Sequence, residues 1–509
     1  MKNLRVFIFQ QHWFHLGSLL EATIANHEKY ESITFYNLNR SLFVKPLDRH
    51  QDFLGSKFFN SPPELVITDF LANYFQNKDK EFSYSSIKLS RSIQSHKLLT
   101  KSSDIKDLQK RQWDGTALGM AVSSFLISLT KDSDPSLNRY SKLIGNLEMT
   151  YFQIYEYLTS LGLNNLEDEI WICNGRPFHE RTVVEYARKN SILIKYYEIG
   201  GEGNNQERWI LHNNSPHDRI AHQESIKAHF KDVDPNLGLI HEWFQSQLPG
   251  GKNLVTKKFE PNIKIDSLEN YFVYFSSSDN EVSAISLDWD STWENQLNAV
   301  KTLIKYFASQ PKLKLVIRIH PSQKNKSKYD KNKWKALVSD ASNVTIYSYD
   351  SNVDSYQLLS KAQGVITYGS TIGVEAAFLK KPSALLASSR WDCLIPHQYL
   401  KTEVDIANWV EKVSVDKGPG DVEITACYLG SLMWGHYMQT AGSSWDFITI
   451  KKDFRKVNIG FLDGKSLKPP ILVVAISRFV RFLRLNLIEM RFDLRILSGF
   501  HLALKKLLS

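Results

Sequence analysis

Five short apolar runs in the second half of the chain, at 271–275, 313–319, 344–347, 364–368 and 383–387, each read as a buried strand. Between them lie stretches with helical spacing, at 293–308, 333–338, 353–361 and 371–379. This alternation constrains the fold more than any other feature. Strands separated by helices pair in parallel, and the crossover helices then cover both faces of the sheet. The first half repeats the pattern less regularly, with strands predicted at 4–9, 65–68, 170–173 and 192–197. Helices are predicted there at 15–27, 180–190, 215–230 and 237–247, and Asp114 opens a further long helical stretch. The expected fold class is α/β, with two Rossmann-like doubly wound domains facing a cleft and a C-terminal helical tail. A chain of 509 residues is too long for one ordinary core.

Pro249-Gly250-Gly251 combines turn formers with a loss of periodicity and marks the boundary. The predicted division is an N-terminal domain at 1–250, a linker at 251–268 and a second domain at 269–415. A helical segment at 416–468 covers the domain junction, and a basic amphipathic tail occupies 469–509. Net charge is +9, and the tail from Ile471 to Ser509 carries seven Lys and Arg against two Asp and Glu. Charge so concentrated points away from a nucleic-acid surface. Arg478, Arg481, Arg484, Arg491 and Arg495 fall on one half of a helix, with Phe479, Phe482, Leu483 and Leu497 opposite. That pattern suits an interfacial helix on anionic lipid, or a helix packed on the body of the protein. Cys173, Cys393 and Cys427 fit neither a metal spacing nor a disulfide framework, so a reducing compartment is expected. The first apolar run is too short for a signal peptide. The expected location is the cytoplasm or the inner face of the cytoplasmic membrane.

In an open parallel sheet, ligands bind beyond the carboxyl ends of the strands. Four features of the second half fall there. Ser276-Ser277-Ser278 follows the strand at 271–275 and can offer hydroxyls and amides to a phosphate. Arg318 and His320 are two apart, so both are expected on one face of the strand, with Pro321 restraining the imidazole. Gly369 turns into Ser370 and Thr371, which cap the next helix. Its free amides would form a crown for phosphate from Ser370 to Gly373. Gly373 would let the ligand approach, and Glu375 would accept bonds from ribose hydroxyls. Tyr349, in the loop between the strand at 344–347 and its helix, is available to stack on a base. Each feature also has a plainer reading, as a polar turn, a structural histidine, a helix cap or a connecting loop.

The runs FSSSDNE, VIRIHPSQ and SNVDSYQLLSKAQGVITYGSTIGVEAAFLKKPS resemble the C-terminal domain of GT-B glycosyltransferases that build capsular and surface polysaccharide. The His-Pro pair and the Ser/Thr motif are similar to those of bacterial sialyl- and Kdo-transferases. That resemblance implies that His320, Pro321, Ser370 and Thr371 hold the phosphate of a nucleotide-sugar such as a CMP-sugar, with Glu375 on the ribose. CDP-glycerol polyol-phosphate transferases share a similar pattern and are the alternative enzyme. A non-catalytic carbohydrate-binding assembly subunit is the alternative of another class. The implied partners are a nucleotide-sugar donor, a glycan or lipid-linked acceptor and the membrane surface.

Transfer to a hydroxyl with inversion requires a general base. The first domain offers Glu198 and Glu202 beside flexible glycines, then Asp114 at a helix start, in the order Glu198, Asp114, Glu202. The resemblance treats an acidic-Gly motif as the base, but the spacing here departs from it. Arg176 in Asn174-Gly175-Arg176 could face anionic groups in the cleft, and His12 and His15 could touch acceptor. No paired His or Cys cluster is present, and neither a metal nor a cofactor beyond the nucleotide-sugar co-substrate is expected.

Overall fold

The computed structural model describes residues 1–9, 13–38, 42, 44, 63–76, 78, 80–89, 98–200, 208–247, 270–285, 292–326, 328–415, 421–446, 448–450 and 457–459. Glu202, His12, the linker at 251–268 and the basic tail at 469–509 lie outside these residues.

The first sheet contains β1 (Lys2–Ile8), β2 (Tyr30–Asn37), β3 (Glu81–Ser86), β4 (Asp168–Cys173), β5 (Leu193–Gly200) and β6 (Arg208–His212). The second contains β7 (Tyr271–Phe275), β8 (Lys314–Arg318), β9 (Val344–Tyr347), β10 (Gly364–Thr367), β11 (Ser383–Leu385) and β12 (Gln398–Tyr399). Spatial order is β6-β5-β4-β1-β2-β3 in one and β12-β11-β10-β7-β8-β9 in the other. Counted within each domain, both run 3-2-1-4-5-6, the doubly wound order, with β6 alone antiparallel. The switch points lie between β1 and β4, and between β7 and β10.

Period-two alternation sets both cores. Leu4, Val6 and Ile8 of β1 enter one buried cluster, while Phe7 and Phe9 enter the other. In β7, Phe272 and Tyr274 go to one face, and Tyr271, Val273 and Phe275 to the other. The helix Gln296–Ala308 shows how local sequence supports this frame. Asn295 caps it by accepting from the Asn298 amide, and Ala299, Val300, Leu303 and Phe307 form its buried stripe.

Three expectations change. The run at 65–68, predicted as a strand, lies inside the helix Pro63–Gln76. Ile67, Leu71 and Phe75 are buried one turn apart, which is helical spacing, and Pro63 suits the first helical position. Asp114 opens no helix. It sits in a tight turn with φ 49°, and the helix starts at Leu118. The helices Arg219–Asp232 and Leu237–Gln247, placed in the first domain by sequence, pack on the second. Ile226, Ile240 and Phe244 share a core with Val374, Trp391, Leu394 and Trp434. The helix Asp421–Thr440 lies against both of them and against Ile372–Phe378. The chain then returns to the first domain, where β13 (Ser443–Ser444) pairs antiparallel with β6.

Candidate functional site

Three parallel strands end level with one another. Phe275 of β7 is in register with Arg318 of β8 on one side and with Thr367 of β10 on the other. The Ser276–Ser278, His320 and Gly369–Thr371 segments therefore leave one edge of the sheet side by side, across the switch point. Hydrogen bonds stitch them together. Ser276 Oγ accepts from the His320 amide (2.7 Å), Ser277 Oγ donates to the Tyr368 carbonyl (2.7 Å), and the Ser278 and Ser322 hydroxyls are 3.1 Å apart. The serine run, read as a possible phosphate cradle, is committed largely to joining the loops.

β8 ends at Arg318, so the expected sharing of one strand face by Arg318 and His320 does not hold. His320 caps a short 3-10 turn that begins with Pro321, and its Nδ1 accepts from the Ser322 amide (3.1 Å). The Ser322 hydroxyl lies 2.6 Å from the same nitrogen. With Nδ1 an acceptor, a neutral imidazole carries its proton on Nε2, which makes it a donor. Arg318 turns the other way. It is buried and donates to the carbonyls of Ser348 (2.5 Å) and Ser351 (3.3 Å), so it anchors the loop after β9. Burial pushes its pKa down to about 10, against the carboxylates of Asp350 and Asp354. Tyr349, expected to stack on a base, is packed into the hydrophobic core instead.

The turn after β10 places Ser370 half-buried and Thr371 exposed at the start of the helix Ile372–Phe378. The expected amide crown is narrower than four residues. The Gly373 amide donates to the Ser370 carbonyl (3.1 Å) and the Val374 amide to the Thr371 carbonyl (2.8 Å). Gly373 is a glycine for a reason other than ligand approach: a Cβ there would stand 2.4 Å from the buried Trp391 indole. Gly373→Ala should accordingly destabilise the protein by about 1–3 kcal/mol through overpacking, seen as a lower thermal midpoint. An unchanged midpoint would show that the indole gives way freely. Glu375 is buried in the first turn of the same helix.

On the first-domain side, Glu198 stands near the end of β5, next to the turn that follows β4. Asn174, in the left-handed region at φ 57°, donates from Nδ2 to Glu198 Oε1. Its Oδ1 accepts from the Arg176 amide (3.2 Å) and lies 2.7 Å from His217 Nε2. Burial pushes the Glu198 carboxyl up, opposed by the Asn174 hydrogen bond and the Arg390 and Arg176 cations. Arg390 comes from the second domain, just beyond β11, and donates to the Pro216 carbonyl (2.8 Å). Two residues earlier, the Ser388 carbonyl packs against Gly369, whose φ of 79° and lack of Cβ permit the approach. Through this segment the Gly369–Thr371 turn and Glu198 border the same inter-domain space. Beside it, Arg219 pairs with buried Asp392 at 2.6 Å and ties the Arg219–Asp232 helix to the second domain on which it packs.

Asp114 lies elsewhere. Its exposed carboxylate pairs with Lys189, in the last turn of the helix that follows β4. That helix starts at the cleft edge and ends at the opposite edge, so Asp114 is remote from Glu198. His15 Nδ1 lies 3.1 Å from Cys173 Sγ, beneath the β1/β4 switch point. Sequence reasoning missed Arg390 and His217. Arg390 had a usable signal, a cation just past a predicted strand end; His217, in a Ser-Pro-His loop, had none. Among the described residues no group of three or more His, Cys, Asp or Glu side chains could hold a metal ion, and no helix is long and apolar enough to cross a membrane.

Two doubly wound domains with their switch-point loops turned toward one cleft define the GT-B class. Residues 262–393, about a quarter of the chain, match the family described as capsule polysaccharide biosynthesis protein. That segment holds the β7, β8, β10 and β11 loops together, the part of the second domain that carries Ser276, His320, Ser370 and Thr371. No curated protein matches the chain. Among solved structures, the Thermosulfurimonas dismutans KpsC β-Kdo 2,4-transferase is 12% identical with a TM-score of 0.30, covering 52% of this chain and 87% of that one. The Neisseria meningitidis UDP-GlcNAc 2-epimerase bound to UDP-GlcNAc is 10% identical with a TM-score of 0.29, covering 86% and 97%. The spinosyn rhamnosyltransferase SpnG is 10% identical with a TM-score of 0.27, covering 86% and 97%. Likenesses this distant carry no information about substrate.

Proposed function

We propose that this protein transfers a sugar from a nucleotide-activated donor, with a CMP-sugar the first candidate, to a growing surface polysaccharide or a lipid-linked acceptor. The observation that carries this reading is the level row of the β8, β7 and β10 ends, which sets His320 and Ser370–Thr371 side by side at one sheet edge, with the Arg390 cation of the same domain acting on Glu198. In an inverting displacement the acceptor hydroxyl oxygen bonds to the anomeric carbon and its proton passes to Glu198. The bond from that carbon to the phosphate oxygen breaks, and its electron pair leaves with the nucleotide. His320 Nε2–H and the Ser370 and Thr371 groups meet the phosphate, and Glu375 accepts from the ribose. The raised carboxyl of Glu198 fits a base, because a higher pKa strengthens its hold on the incoming proton.

A thermal-shift series with CMP, CDP, UDP and GDP tests the donor side. A nucleotide present at 100 times its Kd should add about 2.7 kcal/mol of stability. The largest response is expected from CMP. Polyol-phosphate transfer from CDP-glycerol also releases CMP, so the two readings are separated by whether CMP is released from a CMP-sugar or from CDP-glycerol. A flat response to all four nucleotides would overturn the proposal.

A further inference from the structure

We infer that His217 is a positioning residue for the reaction, acting through Asn174 to fix the carboxylate of Glu198; this rests on the reading of Glu198 as the base. The amide of Asn174 is held from both ends. Its Nδ2 faces a carboxylate, and its Oδ1 faces both the Arg176 backbone amide at 3.2 Å and the His217 ring at 2.7 Å. Turned over, the amide would set its oxygen against the Glu198 carboxylate and its NH2 against the Arg176 N–H. Both contacts would be repulsive, so only one orientation satisfies the group. Since Oδ1 is an acceptor, His217 must donate from Nε2. Its Nδ1, buried, meets no hydrogen-bond partner among the described residues. A neutral Nε2–H tautomer satisfies this arrangement, and burial, then the cations of Arg390, Arg176 and Arg181 nearby, disfavour a second proton.

The result is a directional chain in which His217 donates to Asn174 and Asn174 donates to Glu198. Position supports a functional purpose. The β4/β5 register already sets Asn174 beside Glu198, whereas His217 reaches them from the loop after β6, which that pairing does not require. Asn174 occupies the left-handed region, which asparagine tolerates better than most residues. Arg390 from the second domain bonds to Pro216, the residue before His217, so the chain lies where the two domains touch. Without His217, the amide of Asn174 keeps one anchor and gains freedom to rotate. Glu198 then spends less time aimed at the acceptor hydroxyl.

The test adds purified full-length protein to an extract of producing cells that lack its gene, and follows sugar incorporation into polysaccharide. The small-molecule fraction of the extract is titrated to separate maximal rate from half-saturation. His217→Ala should lower the maximal rate about tenfold, as for one lost hydrogen bond to an essential group. Half-saturation should stay within about twofold. His217→Gln, whose amide NH2 reaches the Nε2 position, should recover most of the rate. Glu198→Gln serves as the reference. If it retains full rate, the base assignment fails, and this inference falls with it. If it is inactive while His217→Ala keeps full rate, the positioning role alone is refuted. Equal losses in both His217 variants would also refute it, since the donated hydrogen bond is then immaterial.

Discussion

Glu198→Gln should reduce the maximal rate of sugar transfer by about 10²- to 10⁴-fold, the range over which a positioned general base contributes. The loss should not come from unfolding. The Glu198 carboxyl is held above its ordinary range chiefly by burial, so the folded protein binds that proton more tightly than the unfolded chain does. Ionising it therefore costs stability as pH rises past the ordinary carboxylate range, and an uncharged amide avoids that cost at neutral pH. The variant should melt no lower than the parent. The same shift fixes the sign of a pH profile. The base must be ionised, so activity should fall with decreasing pH through a value above the ordinary 4.5 of a glutamate. Asn174 holds the value down by donating to the carboxylate. In Asn174→Ala the acidic limb should therefore move to higher pH. A limb that stays put, or moves down, would show that Glu198 is not the titrating base.

His320 carries two functions that separate cleanly. Its Nδ1 caps the turn at Pro321 through the Ser322 amide, while Nε2–H is the group assigned to phosphate. In His320→Asn the side-chain oxygen can take the place of Nδ1, so the cap survives and the phosphate donor is lost. Hydrogen bonds to charged groups contribute about 1.5–3 kcal/mol, so the catalytic efficiency should fall about 10- to 150-fold. The stabilisation by nucleotide should shrink with it, at a nearly unchanged midpoint in the absence of nucleotide. His320→Gln should behave in the opposite way, with more activity and a lower midpoint, because its amide reaches outward but not to the cap. If the asparagine variant keeps both its rate and its nucleotide response, His320 is a structural cap and the donor site lies elsewhere.

Much of the second domain could be read directly. All five apolar runs from 271 to 387 form strands in the predicted order, because a continuous apolar run in a parallel sheet is a local signal. The first domain was harder. β2 (YESITFYN) and β3 (EFSYSS) mix polar and aromatic residues and stand at one side of the sheet, where one face needs less apolar cover. The run at 65–68 misled because four apolar-rich residues fit either period, and only Leu71 and Phe75 downstream settle it. Within the site, the strand-end positions of Ser276, His320 and Ser370 were legible, since strand ends follow from the same periodicity.

Amino-acid order along the chain thus determined which segments become strands and helices, and which residues stand just beyond the strand ends. Those properties depend on backbone geometry and burial over a few neighbouring residues. Side-chain direction in the loops was decided only by tertiary packing. Arg318 turns to the carbonyls after β9, Tyr349 enters the core, and Gly373 yields its space to Trp391. The meeting of Glu198, Asn174 and His217, with Arg390 arriving from the other domain, joins residues from Asn174 to Arg390. No local pattern encodes such contacts, because they exist only once strand register and the docking of two domains have fixed where each loop ends.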